Sequence, residues 1–235
     1  MADRENVGPI EKQYSKYFTN RNSIGNEVLG SMATNRWRSD SKLLGVTLSR
    51  YKFVSKMFTN FESVLEIGAA DGWYSRLVFN EVKKLTLSDF DEIWLDDFNS
   101  QDFYRQSGTE YLIHNFVSSP IDQVFDGVYG LDVLEHIKPT DQSSFLTNVC
   151  ASLSPQGVAI FGMPSIESQV YASEGSKMGH VNCQSGEELR DNLKKHFENV
   201  FVFSMSDEVV HTGFMPMAHY LIALCTRPFN KEINK

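Results

Sequence analysis

The sequence has few cysteines, no long apolar run and fewer basic than acidic residues. Its three cysteines, Cys150, Cys183 and Cys225, are an odd number without C-x-x-C spacing, which favours neither a disulfide framework nor a zinc site. Lys and Arg number 22 against 30 Asp and Glu, a net charge of −8 that leaves no general basic surface for nucleic acid and disfavours that partner. No run approaches the ~20 apolar residues that span a bilayer, and the N-terminus lacks an apolar signal region. We therefore expect a cytoplasmic protein without a membrane segment.

Length and patterning predict a single α/β unit. A chain of 235 residues can bury a sizeable core, and 41% hydrophobic with 22% charged residues is typical of a soluble globular protein. No internal repeat, low-complexity tract or linker divides the sequence. We expect an N-terminal helical cap or arm over residues 1–60 and the main ligand-binding domain over residues 61–235.

The stretch Val64–Gly72 has the pattern of a buried strand followed by a glycine turn. Apolar and β-branched residues fill the strand, and helical spacing begins after the turn. This pattern predicts a nucleotide-like cofactor. A dinucleotide-binding turn has a further glycine where this chain has Trp73, and Asp71 would compete with a phosphate for the backbone N–H groups of the helix start. The turn therefore favours a ligand with little or no phosphate.

The segment Glu66-Ile67-Gly68-Ala69-Ala70-Asp71-Gly72 resembles motif I of the class I methyltransferases that use S-adenosylmethionine (SAM), usually (D/E)-x-G-x-G-x-G. Ala70 replaces the middle glycine, and its methyl group would strain a backbone with positive φ. Acidic residues here tolerate a nearby cation, and SAM carries a sulfonium and an ammonium. The resemblance implies cofactor contacts from Glu66, Gly68, Ala69, Ala70, Asp71 and Gly72.

Further cofactor contacts are expected where later strands end. Asp89 closes the second predicted strand, about twenty residues past the first motif I glycine, where nucleotide-binding sheets place an acid on the ribose hydroxyls. Asp91 is the alternative. Phe90 would pack on the adenine, and the carbonyl of Asn115 would accept a hydrogen bond from its amino group. The remaining expected contacts are Phe116, Leu131 and Asp132.

Later segments resemble the same family. Residues 125–136 contain F-D-x-V and V-L-E-H, similar to the segment after the fourth strand of many small-molecule methyltransferases, and the L-x-P-x-G of residues 153–157 resembles motif III. Apolar runs at 200–203 and 220–224 predict an antiparallel pair, because a parallel connection needs a crossover, usually helical. The resemblance implies a Rossmann-like fold, with a seven-stranded, mostly parallel sheet, an antiparallel last strand and helices on both faces. In relatives the N-terminal segment lies over the site, which makes four residues candidates for contact: Arg36, Trp37, Arg50 and Tyr51.

The chemistry of a hydroxyl acceptor directs attention to histidine, because the hydroxyl must lose a proton. We expect His136 and His180 to be catalytic, with His211 also near the ligand-bearing edge of the sheet. The pattern D-x-x-E-H at residues 132–136, followed later by His180, resembles ubiquinone-biosynthesis O-methyltransferases and small-RNA 2′-O-methyltransferases, whose carboxylate and histidine cluster binds a divalent metal. A metal-free base and a metal site both stay open. The candidate metal ligands are Asp132, Glu135, His136 and His180.

The sequence thus predicts a SAM-dependent methyltransferase of the small-molecule O-methyltransferase kind, similar to the type 11/12 group. The expected acceptor is a small polar metabolite, a sugar or a secondary metabolite, methylated at a hydroxyl oxygen. Loops over residues 163–182 and 207–214 combine polar and aromatic residues suited to its binding. The alternative function is a non-catalytic scaffold or sensor with the same fold. Trp73 and Asp71 argue against a nicotinamide-dependent oxidoreductase, and a homo-oligomer stays open.

Overall fold

The computed structural model describes residues 9–24 and 26–229. Residues 1–8, on which the expectation of no signal region depends, lie outside the described residues, as do residue 25 and residues 230–235. Within the described ranges, no helix combines the length and the apolar character that crossing a membrane requires.

One mixed sheet organises the described chain. Its strands are β1 (Val64–Ile67), β2 (Leu85–Asp89), β3 (Glu110–Ile113), β4 (Phe125–Leu131), β5 (Leu153–Pro164), β6 (Phe197–Ser206), β7 (Val209–His211) and β8 (Tyr220–Pro228). They lie side by side in the order β3-β2-β1-β4-β5-β8-β6-β7. Strands β1 to β5 pair in parallel, whereas β8 is antiparallel to both β5 and β6.

Helices pack on both faces of this sheet. They are α1 (Ser15–Ile24), α2 (Ser31–Ser39), α3 (Ser41–Met57), α4 (Arg76–Phe79), α5 (Leu95–Ser100), α6 (Asp102–Ser107), α7 (Gln142–Ala151), α8 (Glu174–Gly179) and α9 (Gly186–Leu193). Side chains of α7 and α9 form one core with the sheet, and those of α2 to α6 form the other. The predicted Rossmann-like fold with an antiparallel end is confirmed. The hairpin strand β7 adds an eighth strand that the pattern of apolar residues did not indicate.

Strand β1 lies at the centre of the sheet, between β2 and β4, and all four of its residues are buried. Successive side chains of a strand point to opposite faces. Leu65 and Ile67 accordingly pack in the core that contains α7 and α9, while Val64 packs in the core that contains α3 and α4. The turn after Ile67 therefore opens at the middle of the carboxyl edge of the sheet.

The region predicted as a cap contains α2 and α3, which pack against each other. Helix α3 begins after Asp40, whose carboxylate accepts a hydrogen bond from the N–H of Lys42. The helix also packs on α4, next to the central turn. The predicted division between a cap at residues 1–60 and a main domain at residues 61–235 stays a prediction.

The helix after the central turn is shorter than its spacing suggested. Helix α4 spans four residues only. Tight turns come first, because the N–H of Gly72 donates to the carbonyl of Ala69 and the N–H of Ser75 donates to the carbonyl of Gly72. The backbone of the turn is therefore positioned by local bonds and side chains more than by a long helix.

Candidate functional site

A cleft of about 800 Å³ opens at the carboxyl ends of β1, β2 and β4, the edge at which open α/β sheets bind ligands. Most of the expected site residues line it: Gly68, Ala69, Ala70, Asp71, Asp89, Phe90, Asn115, Phe116, Leu131, Asp132, Glu135, His136 and His180. Of the N-terminal candidates, Arg36, Arg50 and Tyr51 also line the cleft, and Trp37 does not. Helices α2 and α3 therefore cover one side of the cleft.

The turn after β1 has the left-handed backbone expected of motif I. The angle φ is +75° at Gly68, +47° at Ala70 and +73° at Gly72. At Ala70 this conformation is strained, as the sequence predicted, because a Cβ opposes it. Two bonds hold it in place: the N–H of Ala70 donates to Asp89 Oδ2 at 3.0 Å, and the hydroxyl of Tyr111 donates to the carbonyl of Ala70 at 2.7 Å.

Gly72 lies behind the cleft and does not line it, and its expected contact with the cofactor stays a prediction. A Cβ on Gly72 would lie 2.9 Å from Cδ1 of Leu87 on β2. The hydroxyl of Tyr104 donates to its carbonyl. Glycine is needed here so that the turn can pack against β2.

Glu66 is buried beneath the turn and is not among the residues that line the cleft. The hydroxyl of Tyr51 on α3 donates to Oε1 at 2.9 Å, and the hydroxyl of Tyr129 on β4 donates to Oε2 at 2.5 Å. Burial raises the pKa of Glu66 to about 7. Because each oxygen accepts a hydrogen bond from a tyrosine, the residue joins α3 to the sheet, and its expected contact with the cofactor stays a prediction.

Asp71 connects the turn to the helices that cover it. Its Oδ1 accepts a hydrogen bond from the N–H of Trp73 at 3.1 Å, and its Oδ2 accepts one from the N–H of Met32 at 2.8 Å. Met32 lies in the first turn of α2, so a carboxylate here also complements the helix dipole. A Cβ on Gly30, the residue before α2, would lie 2.2 Å from Asp71 Oδ2. Glycine at position 30 therefore allows this contact.

The predicted ribose and adenine residues lie together on one wall of the cleft. Asp89 is buried, and burial raises the pKa of its carboxyl, whose Oδ1 accepts the N–H of Asp91 at 3.1 Å. Asp91, the alternative acid, also lines the cleft and accepts the N–H of Ile93, so both acids stay candidates for the ribose contact. Phe90 is 73% exposed, an open apolar surface at the cleft. The amide oxygen of Asn115 accepts one hydrogen bond, from Val117, and retains a second acceptor position.

Arg50 and Asp132 form an ion pair inside the cleft. Arg50 Nη1 lies 2.8 Å from one carboxylate oxygen of Asp132 and 3.0 Å from the other. The guanidinium also lies over the ring of Tyr220, 3.7 Å from its centroid. Across the described ranges, Arg50 Nε and the hydroxyl of Tyr74 are buried without a hydrogen-bond partner. The cleft therefore offers two unused donors beside a neutralised acid.

The structure brings His136 and His180 together with Glu135. The two imidazole rings lie 5.3 Å apart between centroids, and Glu135 Oε1 lies 4.0 Å from His136 Nε2. One ligand atom from each of the three residues lies within 4.8 Å of the others. Asp132 is not a member of this group, since Arg50 holds its carboxylate. Neither oxygen of Glu135 has a hydrogen-bond partner among the described residues. Burial, together with the nearby charge of Asp132, raises the pKa of the Glu135 carboxyl well above its usual range.

Both histidines present the same nitrogen to this cluster. Nδ1 of His136 is bound to the carbonyl of Gly179 at 2.9 Å, and Nδ1 of His180 is bound to the amide oxygen of Gln169 at 2.8 Å. These oxygens are acceptors, so each Nδ1 carries the proton and each neutral ring keeps an Nε2 lone pair. Gln169 was missed by the sequence analysis, because its role depends on a loop that no local pattern describes.

Three further histidines lie outside the cluster of Glu135, His136 and His180. His211 is on β7, where its Nδ1 accepts the N–H of Gly213, and it does not line the cleft. Its expected place near the ligand-bearing edge is therefore not met, because residues 209–211 pair with β6. His219 accepts the N–H of Asp207, and His114 lines the cleft on the Asn115 side.

Comparison with known proteins gives a family match for most of the chain. A family model described as a methyltransferase domain matches residues 37–200, which is more than half of the sequence. A search of curated proteins gives no match.

Solved structures share the fold at low sequence identity. The N-methyltransferase NodS from Bradyrhizobium japonicum WM9, in complex with S-adenosylhomocysteine (SAH), superposes with a TM-score of 0.62 and 19% identity, over 82% of this chain and 91% of that chain. A SAM-dependent methyltransferase from Clostridium acetobutylicum gives 0.60 and 13%, over 92% and 99%. The CurJ carbon methyltransferase gives 0.59 and 12%, over 83% and 57%. Identities this low show only a common fold, whereas the match of the methyltransferase-domain model to residues 37–200 shows the family.

Proposed function

The chain belongs to the class I SAM-dependent methyltransferase family, and on that premise we propose that it transfers a methyl group from SAM to a hydroxyl oxygen of a small polar metabolite. When bound, SAM supplies a methyl group that its sulfonium has already activated. The protein then mainly has to align the two reactants, exclude water and remove one proton.

The lining of the cleft supports the cofactor. Asp89 is placed to accept hydrogen bonds from ribose hydroxyls, and the exposed ring of Phe90 offers a stacking surface for adenine. Arg50 Nε and the Tyr74 hydroxyl, the two unused buried donors of the described cleft, suit the carboxylate of the methionine part. Asp71 occupies the backbone N–H of Trp73, which agrees with a ligand that has no phosphate.

The observation that carries the oxygen assignment is the pair of Nε2 lone pairs beside buried Glu135. A hydroxyl is a poor nucleophile until its proton leaves, whereas a neutral amine already has a free lone pair. Burial and the neighbouring His136 lower the pKa of His180, so its ring is neutral near pH 7 and can accept that proton at Nε2. The proton passes from the acceptor hydroxyl to Nε2 of His180 as the methyl group leaves the SAM sulfur, and His136 and Glu135 would orient the acceptor.

The same three residues also fit a divalent cation. Glu135 has two buried oxygens without partners in the described chain, and two neutral imidazoles are suitable ligands. A cation held by Glu135, His136 and His180 would polarise the acceptor hydroxyl and lower its pKa. Gln169 and the carbonyl of Gly179 would then orient the two rings, the usual arrangement around metal-bound histidine.

Part of the proposal concerns cellular context. We propose a reducing, cytoplasmic location, which the three free cysteine thiols support. The helices of residues 15–57 act in this proposal as the cap of the cleft. A sugar or a secondary metabolite remains the proposed acceptor class.

The experiment separates cofactor binding from transfer. Calorimetry measures the affinity of the wild type for SAM and SAH. Incubation with deuterated-methyl SAM and a small-molecule extract, followed by mass spectrometry, locates the label on its acceptor. We expect a labelled oxygen, and we expect His180→Ala and His136→Ala to lower turnover by about 10²-fold or more while changing SAM affinity little. His211→Ala, off the cleft, is the matched control.

Three results would contradict the proposal. Absence of SAM and SAH binding removes the cofactor. Label on nitrogen or carbon removes the oxygen assignment. Full turnover in both cleft variants removes the catalytic histidines, and SAM binding without any labelled product favours a scaffold or sensor instead.

A further inference from the structure

A second hollow lies between α7 and α9, outside the cofactor cleft. Its volume is about 400 Å³, within the ~300–1,000 Å³ range of small-ligand pockets. Its lining comes from three parts of the chain: the start of α7 with the proline before it, residues 182–184, and α9 with the residues that follow it. None of its lining residues lines the cofactor cleft.

Four carboxamide side chains dominate this lining, and they orient one another. The amide oxygen of Gln142 accepts from Asn182 Nδ2 at 2.6 Å and from Gln184 Nε2 at 2.7 Å. The amide oxygen of Gln184 in turn accepts from Asn192 Nδ2 at 2.9 Å. Gln142 and Gln184 are both more than nine-tenths buried. A chain of four connected amides therefore has fixed donor and acceptor directions.

The network leaves hydrogen-bonding capacity unused. With the oxygen of Gln142 occupied twice, its amide nitrogen has no partner among the described residues, and the amide oxygen of Asn182 likewise has none there. An amide nitrogen carries two donors and an amide oxygen two acceptor positions. Donors and acceptors therefore lie near each other in the wall of the same hollow.

The charges at the hollow select against ionic ligands. Glu188 and Lys195 both line it, so an anion meets the carboxylate and a cation meets the ammonium. Glu188 accepts hydrogen bonds from Ser185, and Lys195 donates one to Asn192, so both side chains are held in place at the wall of the hollow. Pro139 and Leu146 add apolar surface. Neutral hydroxyl groups, each a donor and an acceptor at once, match the amides, and the C–H faces of a ring match the apolar part.

We propose that this hollow is a second binding site, for a neutral polyhydroxylated molecule of monosaccharide size. The site goes beyond methyl transfer and does not depend on it. Its geometry also places the ligand against residues 182–184. The backbone N–H groups of Val181 and Asn182, next to His180, donate to the carbonyl of Glu135, so the segment that borders the hollow also borders the catalytic cluster.

Side-chain amide resonances give a direct test. In ¹⁵N-labelled protein, we expect glucose, N-acetylglucosamine or myo-inositol at millimolar concentration to shift the side-chain N–H signals of Gln142, Asn182, Gln184 and Asn192. The signal of Gln169, which is bonded to His180 of the cofactor cleft and does not line the hollow, should not move. Glucuronate, which adds a carboxylate to the sugar, should bind more weakly than glucose.

Two tryptophan variants on α7 supply the matched comparison. Ser143 is exposed and lines the hollow, whereas its neighbour Ser144 is exposed and does not. Neither residue belongs to the amide network, so both variants should fold. Ser143→Trp should weaken the apparent affinity about tenfold or more by filling the space, and Ser144→Trp should leave it unchanged. Absence of shifts with all three probes, or equal shifts in Ser143→Trp and wild type, overturns the proposal.

Discussion

Arg50 on α3 binds both carboxylate oxygens of Asp132 at the end of β4, although 82 residues separate them in the chain. The side chain of Arg50 is 11% exposed and that of Asp132 is 30% exposed, so the pair is partly removed from water. Asp132 also has φ at +57°, a conformation that needs outside support in a residue with a Cβ. The ion pair therefore links the covering helix to a strained point in the wall of the cleft.

We expect this pair to contribute measurably to stability. Arg50→Met and Asp132→Asn should each lower the free energy of unfolding by about 2 kcal/mol, because each leaves a partly buried charge without its partner. The double variant should lose less than the sum of the two. Urea denaturation of the four proteins gives the coupling energy. Lys84 and Glu110, an exposed pair 3.8 Å apart, are the control and should show almost no coupling.

The strain at Ala70 predicts a stabilising substitution. Ala70→Gly should raise the free energy of unfolding by about 1 kcal/mol, because glycine adopts a φ of +47° without a Cβ clash. Ala69→Gly is the matched control, since Ala69 is buried and is not among the residues with positive φ. That control should be destabilised through added freedom of the unfolded chain. Thermal and urea unfolding of both variants decide the matter, and a loss of stability in Ala70→Gly would contradict the proposed strain.

Glu66 predicts a pH-dependent stability. Its pKa is about 7 in the fold, above the value of an exposed glutamate, so the folded state binds the proton more tightly than the unfolded state. Stability should therefore fall as pH rises from about 5 through 7, by about 3 kcal/mol in total from this group. Glu66→Gln removes the titration and should flatten the profile. Equal profiles for wild type and variant, measured by denaturant unfolding at pH 5 to 8, would rule out this assignment.

Metal binding, if the cluster holds a cation, has a defined proton signature. Burial and Asp132 raise the pKa of Glu135, so its carboxyl must release a proton when a cation binds. Affinity for Mn²⁺ or Zn²⁺ should therefore increase with pH. Calorimetry in two buffers of different ionisation enthalpy counts the protons. Glu135→Gln and His180→Ala should abolish binding while His211→Ala retains it, and EDTA should remove turnover in the wild type.

The hydrogen bond between Gln169 and His180 gives a prediction that sequence alone could not make. Gln169→Leu should shift the pH dependence of turnover, because His180 loses the acceptor that keeps its proton on Nδ1. The fold should be retained, since Gln169 lies in a short helical turn outside the two main cores. Gln169→Glu retains an acceptor and should restore most turnover. An unchanged pH profile in Gln169→Leu would show that the tautomer of His180 is set by something else.

The fold was predictable from local patterns where those patterns are strong. Val64–Ile67 and residues 85–89 are short apolar runs that end in a turn or an acid, and both are central strands. Ser185 and Glu188 form a capping box at the start of α9, an arrangement whose S-x-x-E spacing can be read directly from the sequence. The antiparallel pairing of β6 with β8 followed from the absence of a helical crossover between them.

The positions of individual side chains were less predictable, because they depend on contacts between distant segments. Glu66 occupies a motif position associated with the cofactor, and only the approach of Tyr51 and Tyr129 shows that both of its oxygens are used. Gly72 packs against Leu87, fifteen positions along the chain, and no local pattern indicates that contact. His136 and His180 were predicted as a pair, yet their common Nε2 orientation depends on Gly179 and Gln169.

The contact between Asp71 and the backbone of Met32 has a consequence for how this protein can be shortened or recombined. A chain that began at β1 would keep every residue of motif I. The carboxylate of Asp71 would then lack the hydrogen bond that it accepts from Met32 of α2. Exchanging α2 and α3 with the corresponding helices of a relative would likewise replace residues that line the cleft. The shortest segment that retains this contact of the proposed cofactor site therefore begins at Gly30, well upstream of motif I.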